Sequence, residues 1–121
     1  MPARVVLVDD DPEFVERATS ALKSAGYPVA AFLDSLQALD AVRAPGQAEL
    51  LITRMEFEAL TLNGVALARM AKMSRRNIHV IFTASPELRE HAEGLGEFLP
   101  LPVDIADLVA AVDRALFPPA V

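Results

Sequence analysis

Three consecutive aspartates follow the first apolar run of the chain. Residues 4–8 read Arg-Val-Val-Leu-Val, and Asp9, Asp10 and Asp11 come directly after them. A short run rich in β-branched residues is typical of a buried strand in a parallel sheet. Asp11 followed by Pro12 is typical of the N-cap and first position of a helix. Asp9 and Asp10 are therefore expected at the carboxyl end of a buried strand, where open α/β sheets bind their ligands.

Two interpretations of this acidic turn are open. Adjacent carboxylates repel each other and a divalent cation relieves that repulsion, so Asp9 and Asp10 are able to form a magnesium site. The other interpretation is a solvated turn between strand and helix with one capping residue. The rest of the sequence is needed to distinguish these two interpretations.

Composition narrows the function class. The chain has 121 residues, 53% of them apolar, which fits one domain with an ample core. Its net charge of −6, from 11 basic and 17 acidic residues, disfavours direct nucleic-acid binding. No run approaches the roughly 18 apolar residues that a membrane span needs. The absence of cysteine excludes disulfides and suits a cytoplasmic protein.

Five apolar runs alternate with five helical patterns, which is typical of a βαβ series. Ser35, Ser85 and Asp104 are the predicted caps of the second, fourth and last helices. Right-handed crossovers then predict a doubly wound α/β fold, a five-stranded parallel sheet with helices on both faces. The apolar runs are 4–8, 28–32, 50–53, 78–83 and 97–99. We expect one domain over 1–121, with its core at about 4–117 and a tail or linker start at 118–121.

The order of these motifs resembles the response-regulator receiver domains of two-component signalling. The resemblance rests on the acid pair after strand one, Thr83-Ala84 after strand four and Leu101-Pro102 after strand five. It implies a flavodoxin-like (βα)5 sheet with strand order 2-1-3-4-5. It also implies a site at the carboxyl ends of strands 1, 3 and 4.

The resemblance assigns roles position by position. Asp9 and Asp10 match the metal-binding acid pair, and Thr83 matches the hydroxyl residue that hydrogen-bonds the phosphoryl group. The other matching positions are the small residue Ala84, the switch aromatic Phe98, Pro102 after strand five, and Asn63 with Gly64 at the end of the loop after strand three.

Two positions depart from the family pattern. Arg54 stands where the family has the aspartate that accepts the phosphoryl group, and Leu101 stands where it has a lysine. An alternative count, back from Gly64, puts Glu56 at the acceptor position. We prefer Arg54, because burial sets the register of a strand and loops absorb insertions. Under either count the standard nucleophile is absent, since no aspartate occurs between residues 41 and 103.

Arg54 is hypothesised to reach Asp9 or Asp10 and to take the place of the cation. A guanidinium–carboxylate pair at ~4 Å is worth roughly 4 kcal/mol before desolvation, at an effective dielectric constant of about 20. Magnesium binding is then weak or absent, and no other cofactor is expected. The alternative is that Arg54 points into solvent. Without a phosphoryl group, the Thr83 hydroxyl is expected to form a local hydrogen bond.

The sequence therefore predicts a pseudo-receiver that is not an enzyme and that binds a protein: a histidine kinase, a phosphotransfer protein or another regulator. The fourth helix, fifth strand and last helix form the expected contact surface, also for a homodimer, with Ala106, Ala110, Asp113 and Arg114 facing outward. A plain solvated face is the alternative interpretation of this surface. One alternative is a phosphorylatable receiver that uses Glu56, with magnesium at Asp9 and Asp10. Glu56 as a fixed charge that mimics phosphorylation, or as a plain loop acid, is also open. A small-ligand or flavin module is a further alternative, although the chain has one tyrosine and no tryptophan.

Overall fold

Five parallel strands form one sheet in the order β2-β1-β3-β4-β5, as predicted. The computed structural model describes residues 4–46, 48–57 and 62–118. Of the predicted tail 118–121, only Pro118 lies within these ranges. The strands are β1 (Arg4–Val8), β2 (Val29–Phe32), β3 (Ala48–Arg54), β4 (His79–Ala84) and β5 (Glu97–Pro100).

Helices cover both faces of the sheet. The four α-helices are α1 (Pro12–Ser24), α2 (Ser35–Arg43), α3 (Gly64–Ser74) and α4 (Ile105–Leu116). Alternate side chains of β1, β3 and β4 enter two apolar clusters, one with α1 and α4 and the other with α2 and α3. None of these helices, within the described ranges, has the length and apolarity that a membrane crossing requires.

A short helix begins at Pro86 after Ser85, as predicted, and it is a seven-residue 3₁₀ helix, Pro86–Ala92, followed by Gly94 at a φ of +78°. One predicted helix cap was wrong. The second helix is capped by Asp34 rather than Ser35. The Asp34 carboxylate accepts hydrogen bonds from the backbone N–H groups of Leu36 and Gln37, while Ser35 is buried in the first turn. The predicted caps Asp11 and Asp104 are confirmed.

The register of the central strands aligns their carboxyl ends. Val8 pairs with Thr53, so the next residues, Asp9 and Arg54, lie level with each other. Arg54 in turn pairs with Thr83 on β4. Below this level the buried side chains of these strands are apolar except for Thr53, which fixes the height at which the polar residues emerge.

Candidate functional site

Asp9, Arg54 and Thr83 form a lateral row across the three central strands. Because side chains alternate along a strand, all three lie on the sheet face that packs against α1 and α4. The row occupies the carboxyl ends of β1, β3 and β4, where open parallel sheets place their ligand sites. These residues are therefore the candidate functional site.

Asp9 is the buried member of the acid pair. It is only 2% exposed, and its Oδ1 accepts a hydrogen bond of 2.9 Å from the backbone N–H of Asp11. Burial raises the pKa of Asp9 above its ordinary value, although this hydrogen bond and the positive charge of Arg54 oppose the rise. Asp9 therefore carries its negative charge at a desolvation cost that its neighbours only partly offset.

Arg54 lies over the acid pair. Its Nη1 is 3.7 Å from Oδ1 of Asp9 and 3.9 Å from Oδ1 of Asp10, and its side chain is 33% exposed. The guanidinium therefore faces both carboxylates from the last residue of β3. That it replaces a cation functionally remains a prediction.

A magnesium ion at Asp9 and Asp10 would need further oxygen ligands. Magnesium prefers oxygen ligands in octahedral geometry, usually carboxylates and waters. The site instead offers two carboxylates and a guanidinium, which is positively charged and donates hydrogen bonds. In the described parts of the chain, no three His, Cys, Asp or Glu side chains are grouped so that they could hold a metal ion. This set of groups is a poor match for magnesium.

Gly64 fixes the end of β3 against the start of α3. Its N–H donates a 2.9 Å hydrogen bond to the carbonyl of Met55, and Asn63 caps α3 through the N–H of Ala66. A Cβ at position 64 would lie 1.8 Å from the carbonyl oxygen of Arg54. Glycine is therefore required by close backbone approach, and it holds the backbone from which the Arg54 side chain extends.

Thr83 differs from the prediction. Its hydroxyl was expected to form a local hydrogen bond, but Oγ1 is buried and has no hydrogen-bond partner among the described residues. Its two neighbours in the row are Arg54, whose side chain only donates, and the apolar Leu99. The hydroxyl therefore finds no acceptor in its row, and the prediction was wrong.

Leu101 lines a small cavity beside the row. The cavity has a volume of about 140 Å³, and its wall includes Asp9, Arg54, Phe14 and Leu101. The Leu101–Pro102 peptide bond is cis, and the Leu101 N–H donates a 2.8 Å hydrogen bond to the carbonyl of Ala84. The position at which the resemblance expects a lysine therefore presents an apolar side chain to the cavity beside Asp9.

Solved structures with a similar architecture include receiver domains. The chemotaxis protein CheY4 from Vibrio cholerae is 20% identical, with a TM-score of 0.84 over 96% of this chain and 100% of that chain. A receiver protein from Sinorhizobium medicae is 21% identical, with a TM-score of 0.84 over 95% of this chain and 94% of its own. The receiver domain of the hybrid histidine kinase CckA is 26% identical, with a TM-score of 0.79 over 94% and 99%. This chain has the receiver-domain fold. No protein-family model and no curated protein matches the sequence.

The remaining site residues keep separate positions in the receiver fold. Phe98 and Ala84 are buried in the cluster with α2 and α3, and the Arg89 guanidinium lies 4.7 Å above the centre of the Phe98 ring. Glu56 is exposed, two residues beyond Arg54, and is not among the residues that line the cavity. The structure thus brings Asp9, Asp10, Arg54 and Leu101 together but leaves Glu56 outside.

On the predicted contact surface of the receiver fold, two charged residues have partners within the chain. Asp113 accepts a hydrogen bond from the hydroxyl of Tyr27, and Arg114 forms a 3.1 Å ion pair with Glu97. The Tyr27 ring also stacks on Phe117, with 6.3 Å between ring centres. Sequence reasoning missed Tyr27, because no local pattern connects residues that are 86 positions apart.

Proposed function

We propose that this chain is an atypical receiver domain of two-component signalling that acts by binding a protein partner and accepts no phosphoryl group on an aspartate. The observation that carries this proposal is Arg54, which ends β3 beside Asp9 and Asp10. The family resemblance expects the nucleophilic aspartate at this position. No aspartate occurs between residues 41 and 103 to replace it.

The charge balance of the site supports this proposal. Two carboxylates and one guanidinium carry a net formal charge of −1. Three carboxylates with one bound divalent cation, the set that the resemblance implies, would carry the same charge. Arg54 therefore gives the acid pair the electrostatics of a metal-loaded site without a metal. We infer that the domain holds one fixed state, with no resident cofactor.

The neighbours of Arg54 support the same conclusion. Leu101 offers the cavity an apolar surface where a lysine would pair with a phosphoryl group. Because the Thr83 hydroxyl is buried without a partner, the row keeps a group suited to a phosphoryl oxygen but lacks the nucleophile. We therefore propose a domain that retains the scaffold for phosphoryl transfer and has lost the reaction, so that it is not an enzyme.

The alternatives fit the site less well. Glu56 is exposed outside the cavity, and it lacks a lysine partner, which weakens it as a phosphoryl acceptor. The cavity at this site, of about 140 Å³, is also smaller than the ~300 Å³ at which pockets for small-molecule ligands begin, which weakens the alternative of a flavin bound beside Asp9. We propose a cytoplasmic protein partner, such as a histidine kinase, a phosphotransfer protein or another regulator.

Phosphoryl transfer itself provides the test. The purified chain is treated with acetyl phosphate and magnesium, and its intact mass is measured under conditions that preserve acyl phosphates. We expect no added mass. The matched variant carries Arg54→Asp and Leu101→Lys, which restore both departing positions. This variant is expected to gain the mass of one phosphoryl group, and an ordinary receiver domain serves as the reagent control.

A phosphoryl adduct on the unmodified chain would refute the proposal. Glu56→Gln then identifies the acceptor: loss of the adduct would assign it to Glu56 and return the chain to the phosphorylatable receivers. Persistence of the adduct would direct peptide mapping to the other carboxylates. Circular dichroism of the same samples shows whether the chain is folded. A missing adduct can then be assigned to the site and not to unfolding.

A further inference from the structure

The two edge strands of the sheet differ in how well they are protected against pairing with another strand. An edge strand exposes unpaired backbone N–H and C=O groups, and proteins usually protect such edges with charges, proline or a covering element. In this sheet the edges are β2 and β5. They differ in charge and in the backbone groups that they present.

The β5 edge is protected. The Leu101 N–H donates to the carbonyl of Ala84, so alternate residues 97, 99 and 101 bond to β4, and 98 and 100 point outward. Residue 100 is a proline and has no N–H to offer. Glu97 adds a charge, held by Arg114. An incoming strand would therefore find one missing donor and an ion pair at this edge.

The β2 edge lacks both forms of protection. The carbonyls of Pro28 and Phe32 accept hydrogen bonds from Val5 and Asp9, so alternate residues 28, 30 and 32 face β1. The backbone groups of Val29 and Ala31 and the N–H of Leu33 consequently point outward. All three residues retain an N–H, and residues 27–33 contain no charge. Within the described ranges, no other strand pairs with this side of β2.

Exposed apolar side chains adjoin the same edge. Leu33 is 50% exposed and Leu36, in the first turn of α2, is 52% exposed. They are two of the four large apolar side chains that are exposed in the described parts of the chain. Ala31 is also exposed, so the middle of the edge is open to an approaching backbone. Covering this edge would remove apolar surface from water as well as pair its backbone groups.

We propose that two copies of this chain pair antiparallel through β2 and form one continuous ten-stranded sheet. A two-fold axis at Ala31 places Val29 of each copy opposite Leu33 of the other. The outward groups of Val29 and Ala31 and the N–H of Leu33 then form about four hydrogen bonds between the strands. Each strand is its own complement, with an apolar pair at both ends of the contact.

Charge favours a second copy in this register. The nearest charged residue is Asp34, and the two-fold axis places it opposite Pro28 of the other copy. The two Asp34 positions are then about 20 Å apart along the strands, so like charges do not meet. By contrast, the outer face of α4 presents Asp113 and Arg114, which already have partners within the chain.

Sedimentation velocity over a range of protein concentrations tests this contact. We expect the mass to rise from 13.0 kDa toward twice that value as concentration increases. Ala31→Lys places a charge at the centre of the contact and should leave a monomer at every concentration. Ala110→Lys is the matched control on the exposed face of α4, and it should dimerise as the unmodified chain does. Thermal melting verifies that both variants are folded.

Hydrogen exchange gives a second measurement on the unmodified chain. The amide protons of Val29, Ala31 and Leu33 point away from β1, so they should exchange rapidly in the monomer and slowly in the dimer. A single-chain mass at all concentrations would overturn the proposal. So would a dimer that persists in Ala31→Lys and is lost in Ala110→Lys, because the contact would then lie on α4. Pairing with a foreign strand alone, without self-association, would also overturn it.

Discussion

Two polar clusters join distant parts of this chain. In one of them burial and the neighbouring charge shift a pKa in opposite directions, and in the other they shift it in the same direction. In the Arg54 cluster, with Asp9 and Asp10, the charged atoms are 3.7 and 3.9 Å apart. Burial raises the pKa of Asp9 while Arg54 opposes the rise. In the Tyr27 cluster, with Asp113 and Phe117, burial, the hydrogen bond and the Asp113 charge all raise the pKa of Tyr27, to about 12.

This difference supports the proposal that the Arg54 cluster is a functional remnant, whereas the Tyr27 cluster is a structural contact. Conflicting local interactions are typical of positions that serve something other than stability, whereas structural contacts satisfy several requirements together. The Tyr27 cluster connects the loop after α1 to the end of α4 with no such conflict. The Arg54 cluster keeps a buried acid at a cost, which fits the proposed origin from a metal-binding site.

The largest effect is expected at the glycine behind the Arg54 cluster. Gly64→Ala would place a Cβ 1.8 Å from the carbonyl oxygen of Arg54, so the backbone of β3 or α3 must move. We expect the free energy of unfolding in urea to fall by about 3 kcal/mol. Gly94→Ala is the control, since that position has a φ of +78° but open space around it. It should lose only about 1 kcal/mol. Equal losses would show that the close approach does not matter.

The next largest effect is expected from a substitution that converts the Arg54 cluster into a metal site. Arg54→Asp supplies a third carboxylate, and without magnesium the variant should lose about 1–2 kcal/mol of stability, given the partial exposure of the side chain. Magnesium at ten times its dissociation constant should return about 1.4 kcal/mol, measured by thermal melting. Arg54→Gln removes the guanidinium without adding a ligand and should not respond. A similar magnesium response in the unmodified chain would contradict the cation-replacement hypothesis.

The Tyr27 cluster should yield a smaller effect. Tyr27→Phe removes one hydrogen bond and is expected to lower the free energy of unfolding by about 1 kcal/mol. The pKa of Tyr27 rises from 10.0 to about 12 on folding, so its stabilisation is present below pH 10 and is lost as pH approaches 12. Tyr27 is the only tyrosine, so tyrosinate absorbance reports it alone. A midpoint near 10.0 would refute the contact, and Asp113→Asn should lower the midpoint.

The smallest effect concerns the buried acid itself. The pKa of Asp9 is higher in the folded state than its ordinary value of 3.8. Asp9 therefore favours folding below pH 3.8, and this contribution is lost as pH rises through its folded-state pKa. Asp9→Asn keeps an acceptor for the Asp11 N–H and should raise stability at neutral pH by less than about 1 kcal/mol. The melting temperatures of the unmodified chain and of Asp9→Asn, recorded as a function of pH, measure this contribution. Asp10→Asn is the more exposed control, and a stability loss in Asp9→Asn would indicate that the Arg54 pair outweighs desolvation.

The five parallel strands were predictable from the sequence because they follow from short-range patterns, whereas their order came from the family resemblance. Each strand is a buried apolar run, each crossover is right-handed, and the resemblance adds the order 2-1-3-4-5. The 3₁₀ geometry of Pro86–Ala92 was harder to predict, since a proline and a first-turn acid mark the start of an α-helix and of a 3₁₀ helix alike. Asp34 and Ser35 are both good caps at adjacent positions, and only the backbone conformation distinguishes them.

The features of the site that depend on one strand were predictable from the sequence. Those that depend on the packing of several elements were not. Arg54 follows from counting along β3, and its direction toward Asp9 follows from the parity of the sheet. The requirement for glycine at position 64 depends on a carbonyl ten residues earlier. The unpaired Thr83 hydroxyl depends on which side chains flank it on two neighbouring strands. Such facts are properties of packing, which a linear pattern does not contain.

The attachment of Arg54 to β3 has a consequence for how the site responds to its surroundings. A diffusible ion occupies a site according to its concentration, and a chelator can remove it. A guanidinium on the polypeptide is present in one copy per site at every ion concentration. The charge beside Asp9 and Asp10 is thereby set when the chain is translated, and it is inherited with the sequence rather than drawn from the solution.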